Sequence, residues 1–109
     1  MILDLSAKLP MKDDAYLAFV RSLPSAASGH IGCVAHHRIG YRYSQRKVSD
    51  YETMPLTDAE HRHLHAHGVH SFEAEVGKTE REMICATLLE AIRLGVLQPD
   101  SRIARALGG

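Results

Sequence analysis

Histidine is the residue type of this chain whose number and spacing point to chemistry. The sequence has 8 histidines in 109 residues, and all of them lie between positions 30 and 70. Two are adjacent, His36 and His37, and four alternate along one segment: His61, His63, His65 and His67. Because imidazole binds divalent metal ions and exchanges protons near neutral pH, these residues are candidate metal ligands and a candidate general base.

The alternating histidines follow a signal for the start of a helix. The segment TDAE directly before them has the pattern of a capping box and predicts a helix over 58–68. Residues four apart share a helix face, which creates two pairs on roughly opposite faces, His61/His65 and His63/His67. Either pair can chelate one divalent ion, and a third ligand from elsewhere would leave open positions, as in catalytic sites. The alternative is a solvated helix face with non-specific metal affinity.

The adjacent pair, His36 and His37, ends a short apolar stretch over 31–37 that predicts a β-strand. Consecutive residues of a strand point to opposite faces of the sheet. In a regular strand, therefore, at most one of these two histidines can bind the ion directly.

Further elements must hold these histidines in place. Pro24 ends the first helix, Pro55 marks the edge or the end of the second strand, and Gly95 ends the last helix. The period of the apolar residues in that last helix predicts a buried face of Met83, Ile84, Thr87, Leu88, Ala91 and Ile92. The predicted helices cover 13–23, 58–68, 71–76 and 80–94, and the predicted strands cover 31–37 and 51–56.

Composition excludes several classes of protein. No run of about 18 apolar residues could span a membrane, and the first residues contain acids and a proline where a signal peptide needs a basic start. We therefore expect a soluble, cytoplasmic protein with no membrane partner. Two cysteines, Cys33 and Cys85, cannot form a disulfide framework, and neither has a CxxC partner for a zinc site. Cys33 is predicted to be a buried strand residue.

The formal net charge is zero, with 13 basic and 13 acidic residues, which argues against a general nucleic-acid coat. The charge is unevenly spread, however. Residues 29–48 contain no acid and four cations: Arg38, Arg42, Arg46 and Lys47. Together with Arg62, which lies among the helix histidines, they are candidate contacts for the DNA backbone. The alternative is a solvated loop.

Three segments, LPSAASG, CVAHHRIG and KVSDYETMPLTDAEHRHLHAHG, carry a resemblance to a known family. They resemble the phage-encoded HNH (ββα-metal) nucleases related to the recombination-enhancement, RecA-dependent nuclease, which typically read LPCxxCG…AHH…G…KxSDxxxxPLCxxHHxxLHxxG. The match covers about 23–68 and continues weakly into the following helix. It implies an α+β fold in a single domain, 1–109, with a ββα-metal core over 23–68, an N-terminal helix and a C-terminal packing helix over 80–94.

The resemblance also implies roles, position by position. His37 would be the general base, and one divalent ion, Mg²⁺, Mn²⁺, Ni²⁺ or Zn²⁺, would be held by His36, His61 and His65. The resemblance, and not the spacing, selects His61/His65 over the second helix pair. The activity it implies is that of a metal-dependent DNA endonuclease or nickase of phage or prophage type, with a recombinase or another host protein as a further partner.

Two departures from the family pattern stand out. The asparagine that normally orients the base is missing, and the nearest candidates are Asp50 and Glu52. We favour Asp50, although a turn or cap role after Ser49 suits it equally well. The family's structural zinc ligands are also missing, all four together, since those positions read Ser25, Ser28, Thr57 and Glu60. We therefore predict no structural zinc.

Other functions remain open on the same scaffold. One is a non-catalytic DNA-binding accessory factor or an inhibitor of a host protein, which the neutral charge, the short length and the missing asparagine favour. Another is a plain metal-binding or structural module. Retention of the four catalytic-type histidines beside a lost zinc site favours a working nuclease over both.

Overall fold

The computed structural model describes residues 12–40 and 48–97. These residues form an α+β fold of four helices and one two-stranded antiparallel sheet. None of the helices in them is long and apolar enough to cross a membrane. Residues 1–11, 41–47 and 98–109 lie outside the described residues. The elements in chain order are α1 (Asp14–Ser22), β1 (Cys33–His37), β2 (Thr53–Thr57), α2 (Asp58–His67), α3 (Val69–Val76) and α4 (Glu80–Arg93).

The register of the sheet places His36 opposite Met54 and Ala35 opposite Pro55. Pro55 therefore lies in the middle of β2, and the strand continues two residues beyond it. The carbonyl of Pro55 accepts a hydrogen bond from the backbone N–H of Ala26, at 2.9 Å, on the side away from β1. The ring nitrogen faces the same way, so the proline removes no hydrogen bond from the sheet. Pro55 marks an edge, as predicted, but it does not mark an end.

The alternation of side chains along the strands divides the interior into two clusters of buried residues. One lies between the sheet and the helices α2 to α4 and consists of Met54, Leu56, Leu64, Phe72, Met83 and Ile84. The other joins α1 to the end of α4 and consists of Tyr16, Val20, Tyr51 and Ala91, with Ala35 packed against it. Since His36 and His37 are neighbours in β1, one faces each cluster. Cys33 is buried in β1, as predicted.

Helix α2 begins and ends where the sequence predicted. Thr57 accepts a hydrogen bond from the backbone N–H of Glu60, and the Glu60 carboxylate accepts one from that of Thr57, which completes the capping box. Gly68 follows the last helical residue with φ 92°, a conformation that favours glycine. This capping matters for the site because it fixes the residue at which α2 begins. The helical period from that residue then decides which histidines lie on the face toward the sheet.

The buried face of α4 differs from the prediction at both ends. Met83, Ile84, Thr87 and Ala91 are buried, but Leu88 is only half-buried and Ile92 is 45% exposed. In the last turn of α4, Ala91 is buried and Ile92 is not, so the buried apolar face narrows there. Glu80, at the start of the helix, lay outside the predicted buried face, yet it is only 3% exposed, which is rare for a glutamate.

Candidate metal centre

Three histidines from two elements meet beside the sheet. One possible ligand nitrogen from each of His36, His61 and His65 lies within 4.8 Å of the other two. On α2, the Nε2 atoms of His61 and His65 are 3.1 Å apart. The ring of His36 lies 5.2 Å from that of His61 and 5.7 Å from that of His65, centroid to centroid. Three imidazoles that converge at this distance could hold a divalent ion and leave coordination positions open.

The second helix pair faces elsewhere. His63 Nε2 lies 2.9 Å from a carboxylate oxygen of Glu75 on α3, and the ring of His67 lies 4.3 Å from that of His63. Among the described residues, only His36, His61 and His65 form such a three-ligand group. The geometry therefore brings together the pair that the resemblance selected, with the strand histidine as third member.

His36 has one nitrogen bonded and the other free. Its side chain is fully buried, and Nε2 lies 2.7 Å from Oε2 of Glu80. Nδ1 is also buried and has no hydrogen-bond partner among the described residues. A buried polar atom without a partner is rare in folded proteins because desolvation without a hydrogen bond is costly. An ion held together with His61 and His65 would satisfy this nitrogen, so the donor set fits a divalent metal.

The electrostatics of the cluster also suit metal binding. Burial lowers the pKa of His61, and the positive charges that His36 and His65 would carry lower it further. Three imidazoles in contact cannot all be protonated without mutual repulsion. A lowered pKa keeps His61 neutral at physiological pH, and only neutral imidazole has the lone pair that binds a metal.

His37 lies on the opposite face of β1 and is held by an acid. Its Nε2 atom is 2.8 Å from Oδ1 of Asp50, which is buried in the turn before β2. Burial raises the pKa of Asp50, but hydrogen bonds from His37 and from the backbone of Asp13 bring it below the ordinary value. An ionised carboxylate only accepts, so Nε2 of His37 carries the proton and Nδ1 presents a lone pair. The other candidate, Glu52, pairs with Arg38 instead.

A third acid links this pair to α1. The other Asp50 oxygen, Oδ2, accepts a hydrogen bond of 2.7 Å from the backbone N–H of Asp13. Asp13 caps α1 by accepting from Tyr16 N, and its Oδ2 accepts from the Tyr51 hydroxyl at 2.5 Å. The sequence analysis placed position 13 only at the start of the first predicted helix, 13–23. The structure makes it the support that holds Asp50 and, through Asp50, His37.

The four positions where the resemblance implied a lost zinc site form a hydrogen-bonded cluster. Ser25 Oγ donates to Oε1 of Glu60 over 2.6 Å and accepts from the backbone N–H of Ser28 at 3.1 Å. The same Glu60 oxygen accepts from the N–H of Thr57 at 2.8 Å. Burial raises the pKa of Glu60, but hydrogen bonds from Ser25, Ser28 and Thr57 leave it below the ordinary value. An ionised carboxylate thus joins the loop before β1 to the start of α2.

The sequence pattern of one family covers most of the chain. The family described as "Protein of unknown function (DUF968)" matches residues 7–95. This chain belongs to the DUF968 family. No curated protein and no solved structure matches this chain. The DUF968 match spans every helix and strand described above, so the histidine cluster and the His37–Asp50 pair both lie inside it.

The candidate DNA contacts are only partly described. Arg42, Arg46 and Lys47 fall in segment 41–47, outside the described residues. Arg38 donates to the carbonyl of Gly40 at 2.6 Å and pairs with Glu52, which braces the turn after β1. Arg62 is exposed on α2 next to His61 and pairs with Asp58, one turn earlier. Of the two candidate contacts that the structure describes, Arg62 is therefore the more accessible to a phosphate, because its exposed ion pair is weak.

Proposed function

We propose that this DUF968 chain is a metal-dependent endonuclease or nickase that hydrolyses phosphodiester bonds of DNA. One observation carries the proposal. The end of β1 presents His36 to a three-histidine cluster on one side and His37 to a carboxylate on the other. An ion site and an oriented base on neighbouring residues are the two parts that metal-assisted hydrolysis of a phosphodiester needs.

His37 is suited to act as the base. Asp50 holds the proton on Nε2, so the lone pair of Nδ1 can take a proton from water. The side chain of His37 is 38% exposed, which admits both water and a DNA strand. As the water oxygen bonds to phosphorus, the proton passes to His37 and the bond to the 3′ oxygen breaks. A divalent ion held by His36, His61 and His65 would stabilise the negative charge that develops on the phosphate.

Plasmid nicking tests the proposal. Supercoiled plasmid would be incubated with purified protein and Mg²⁺, Mn²⁺, Ni²⁺ or Zn²⁺, and the relaxed and linear forms would be quantified over time. We expect metal-dependent cleavage that falls by about 10²- to 10⁴-fold in His37→Ala, the range typical of a lost general base. His63→Ala is the matched control, because His63 is a half-buried histidine that lies outside the cluster.

DNA binding must be measured in the same preparations. Cleavage that persists unchanged in His37→Ala would point to a contaminating nuclease and would contradict the proposal. Intact plasmid with every ion, together with retained DNA binding, would favour the non-catalytic accessory factor.

A further inference from the structure

Glu80 is a buried acid that the proposed reaction does not use. It is the first residue of α4, and only 3% of it is exposed. Its carboxylate accepts three hydrogen bonds, from His36 Nε2 at 2.7 Å and from the backbone N–H groups of Ile39 and Gly40, both at 2.9 Å. Both carboxylate oxygens therefore accept from the backbone, and Oε2, which faces His36, is the oxygen that accepts from Ile39.

The contact with His36 decides which ring nitrogen carries the proton. Both oxygens of Glu80 act as acceptors for backbone N–H groups, so the carboxylate also accepts from His36; Nε2 is then the N–H, and Nδ1 holds the lone pair. Nδ1 is the atom that has no partner among the described residues. A carboxylate bonded to the far nitrogen is the arrangement that fixes the tautomer and the ring orientation of metal-binding histidines.

The surroundings of Glu80 show how firmly it is held. Its own backbone N–H donates to Oε2 of Glu73 at 2.6 Å, which anchors the start of α4 to α3. At Gly40 the backbone comes so close that an added Cβ would lie 3.1 Å from Oε1 of Glu80. The carboxylate is therefore clamped between α4 and the turn after β1, and it cannot turn away from His36 without losing both backbone donors.

We infer that Glu80 is a positioning residue of the metal centre, which orients His36 so that Nδ1 faces the ion. The inference rests on the metal site of the proposed function, but not on nuclease activity. It extends the centre beyond the ββα core to α4, which the sequence analysis assigned to packing alone. A buried glutamate that only tied down the turn would need Ile39 and Gly40 as partners, but not His36.

Ion binding to Glu80→Gln tests this role. In this variant the amide oxygen can replace Oε2, but the amide nitrogen then faces the N–H of Gly40, and two donors repel each other. The side chain therefore loses one of the two backbone contacts that hold it toward His36, and the ring of His36 is held less firmly. Glu73→Gln is the matched control, because Glu73 contacts Glu80 without touching His36. Titration calorimetry with Zn²⁺ and absorption spectra with Co²⁺ would measure affinity, and thermal unfolding would check the fold.

We expect the affinity for Zn²⁺ to fall by about 10- to 100-fold in Glu80→Gln and to stay at the wild-type value in Glu73→Gln. Equal affinities in wild type and Glu80→Gln, both folded, would overturn the inference and leave the metal site standing. If wild type binds no divalent ion, the site and the inference both fail. Binding that depends on Glu80 in a protein that cuts no DNA would support the inference and contradict the nuclease.

The tautomer of His36 offers a test without any metal or activity. In two-bond ¹H–¹⁵N correlation spectra of wild type in EDTA, we expect His36 to be protonated on Nε2. In Glu80→Ala we expect a mixture of tautomers, since the acceptor is gone. Protonation of wild-type His36 on Nδ1 would refute the positioning role even if Glu80→Ala proved too unstable to study.

Discussion

His37 and Asp50 are 13 positions apart in the chain, yet Nε2 of one lies 2.8 Å from Oδ1 of the other. The contact spans the base of the loop that joins β1 to β2, so pairing of the strands is what creates it. It holds the imidazole with Nδ1 outward. The same carboxylate accepts from the backbone N–H of Asp13, so the orientation of this imidazole depends on α1 as well as on the sheet.

Replacing Asp50 should therefore impair catalysis more than replacing the other candidate acid. In Asp50→Asn the amide can present N–H to His37 and favour the wrong tautomer, so we expect at least about a tenfold loss of nicking rate. Glu52→Gln is the control, because Glu52 pairs with Arg38 and leaves His37 untouched. Single-turnover nicking rates of both variants, with matched thermal stability, would decide between them. Equal losses would contradict the assignment to Asp50.

The two histidine pairs of α2 should differ in metal binding. His61→Ala and His65→Ala each remove one of three ligands, so we expect affinity losses at least as large as the about 10- to 100-fold typical of an outer partner. His63→Ala and His67→Ala should bind as wild type does, since neither residue belongs to the three-histidine cluster. Calorimetric titration of the four variants with Zn²⁺ gives the comparison. Similar losses in all four would indicate non-specific binding along the helix.

Chelation should leave the fold intact. The positions where the HNH resemblance implied structural zinc ligands are joined here by hydrogen bonds among Ser25, Thr57 and Glu60. No structural ion is needed where a carboxylate and a hydroxyl make these links. We expect the far-ultraviolet circular dichroism and the cooperative melt to survive an excess of EDTA. A cooperative loss of helicity on chelation would show that a structural metal is present after all.

The same cluster should accept a zinc ion when its ligands are restored. A variant carrying Ser25→Cys, Ser28→Cys, Thr57→Cys and Glu60→His has the four-ligand set of a tetrahedral structural site. We expect it to bind one more equivalent of Co²⁺ than wild type does, with the intense charge-transfer absorption of thiolate ligands. Adding His61→Ala would remove the histidine site and leave this second site in place. An unchanged stoichiometry would argue that these positions do not converge as zinc ligands.

Asp13 should make stability sensitive to acid. The hydrogen bond from Tyr51, followed by that from the backbone of Tyr16, holds the pKa of Asp13 below the ordinary value of 3.8. As the pH falls, Asp13 is therefore protonated in the unfolded chain at a higher pH than in the folded one. The ionised carboxylate stabilises the fold above about pH 4, and this contribution is lost as the pH falls further. Asp13→Asn keeps a capping side chain without the charge. Urea denaturation at several pH values would measure the free energy of unfolding. As the pH is lowered from about 5 to 3, we expect this free energy to fall less steeply in Asp13→Asn than in wild type. Parallel curves would contradict the role of Asp13.

Local sequence patterns determined where α2 begins and ends. The capping box at Thr57 and the glycine at position 68 act within a few residues, so they could be read without the fold. The third helix was predicted over 71–76 but begins two residues earlier, at Val69. The alternation of His36 and His37 across β1 was equally local. Tertiary contacts cannot be read in this way. Ile92 shows why, because its period in α4 matches the buried face, yet it stays 45% exposed among the described residues.

The sequence by itself determined the histidines, their spacing and the capping residues that set the bounds of their helix. Its resemblance to the HNH nucleases selected one of the two histidine pairs on that helix. Only the tertiary structure decided what holds them. Glu80 lies 44 positions from His36, and Asp13 lies 37 positions from Asp50. No local sequence pattern indicates either contact. The physical reason is that a buried carboxylate is tolerated only where several donors converge on it, and that convergence is made by chain segments that meet on folding.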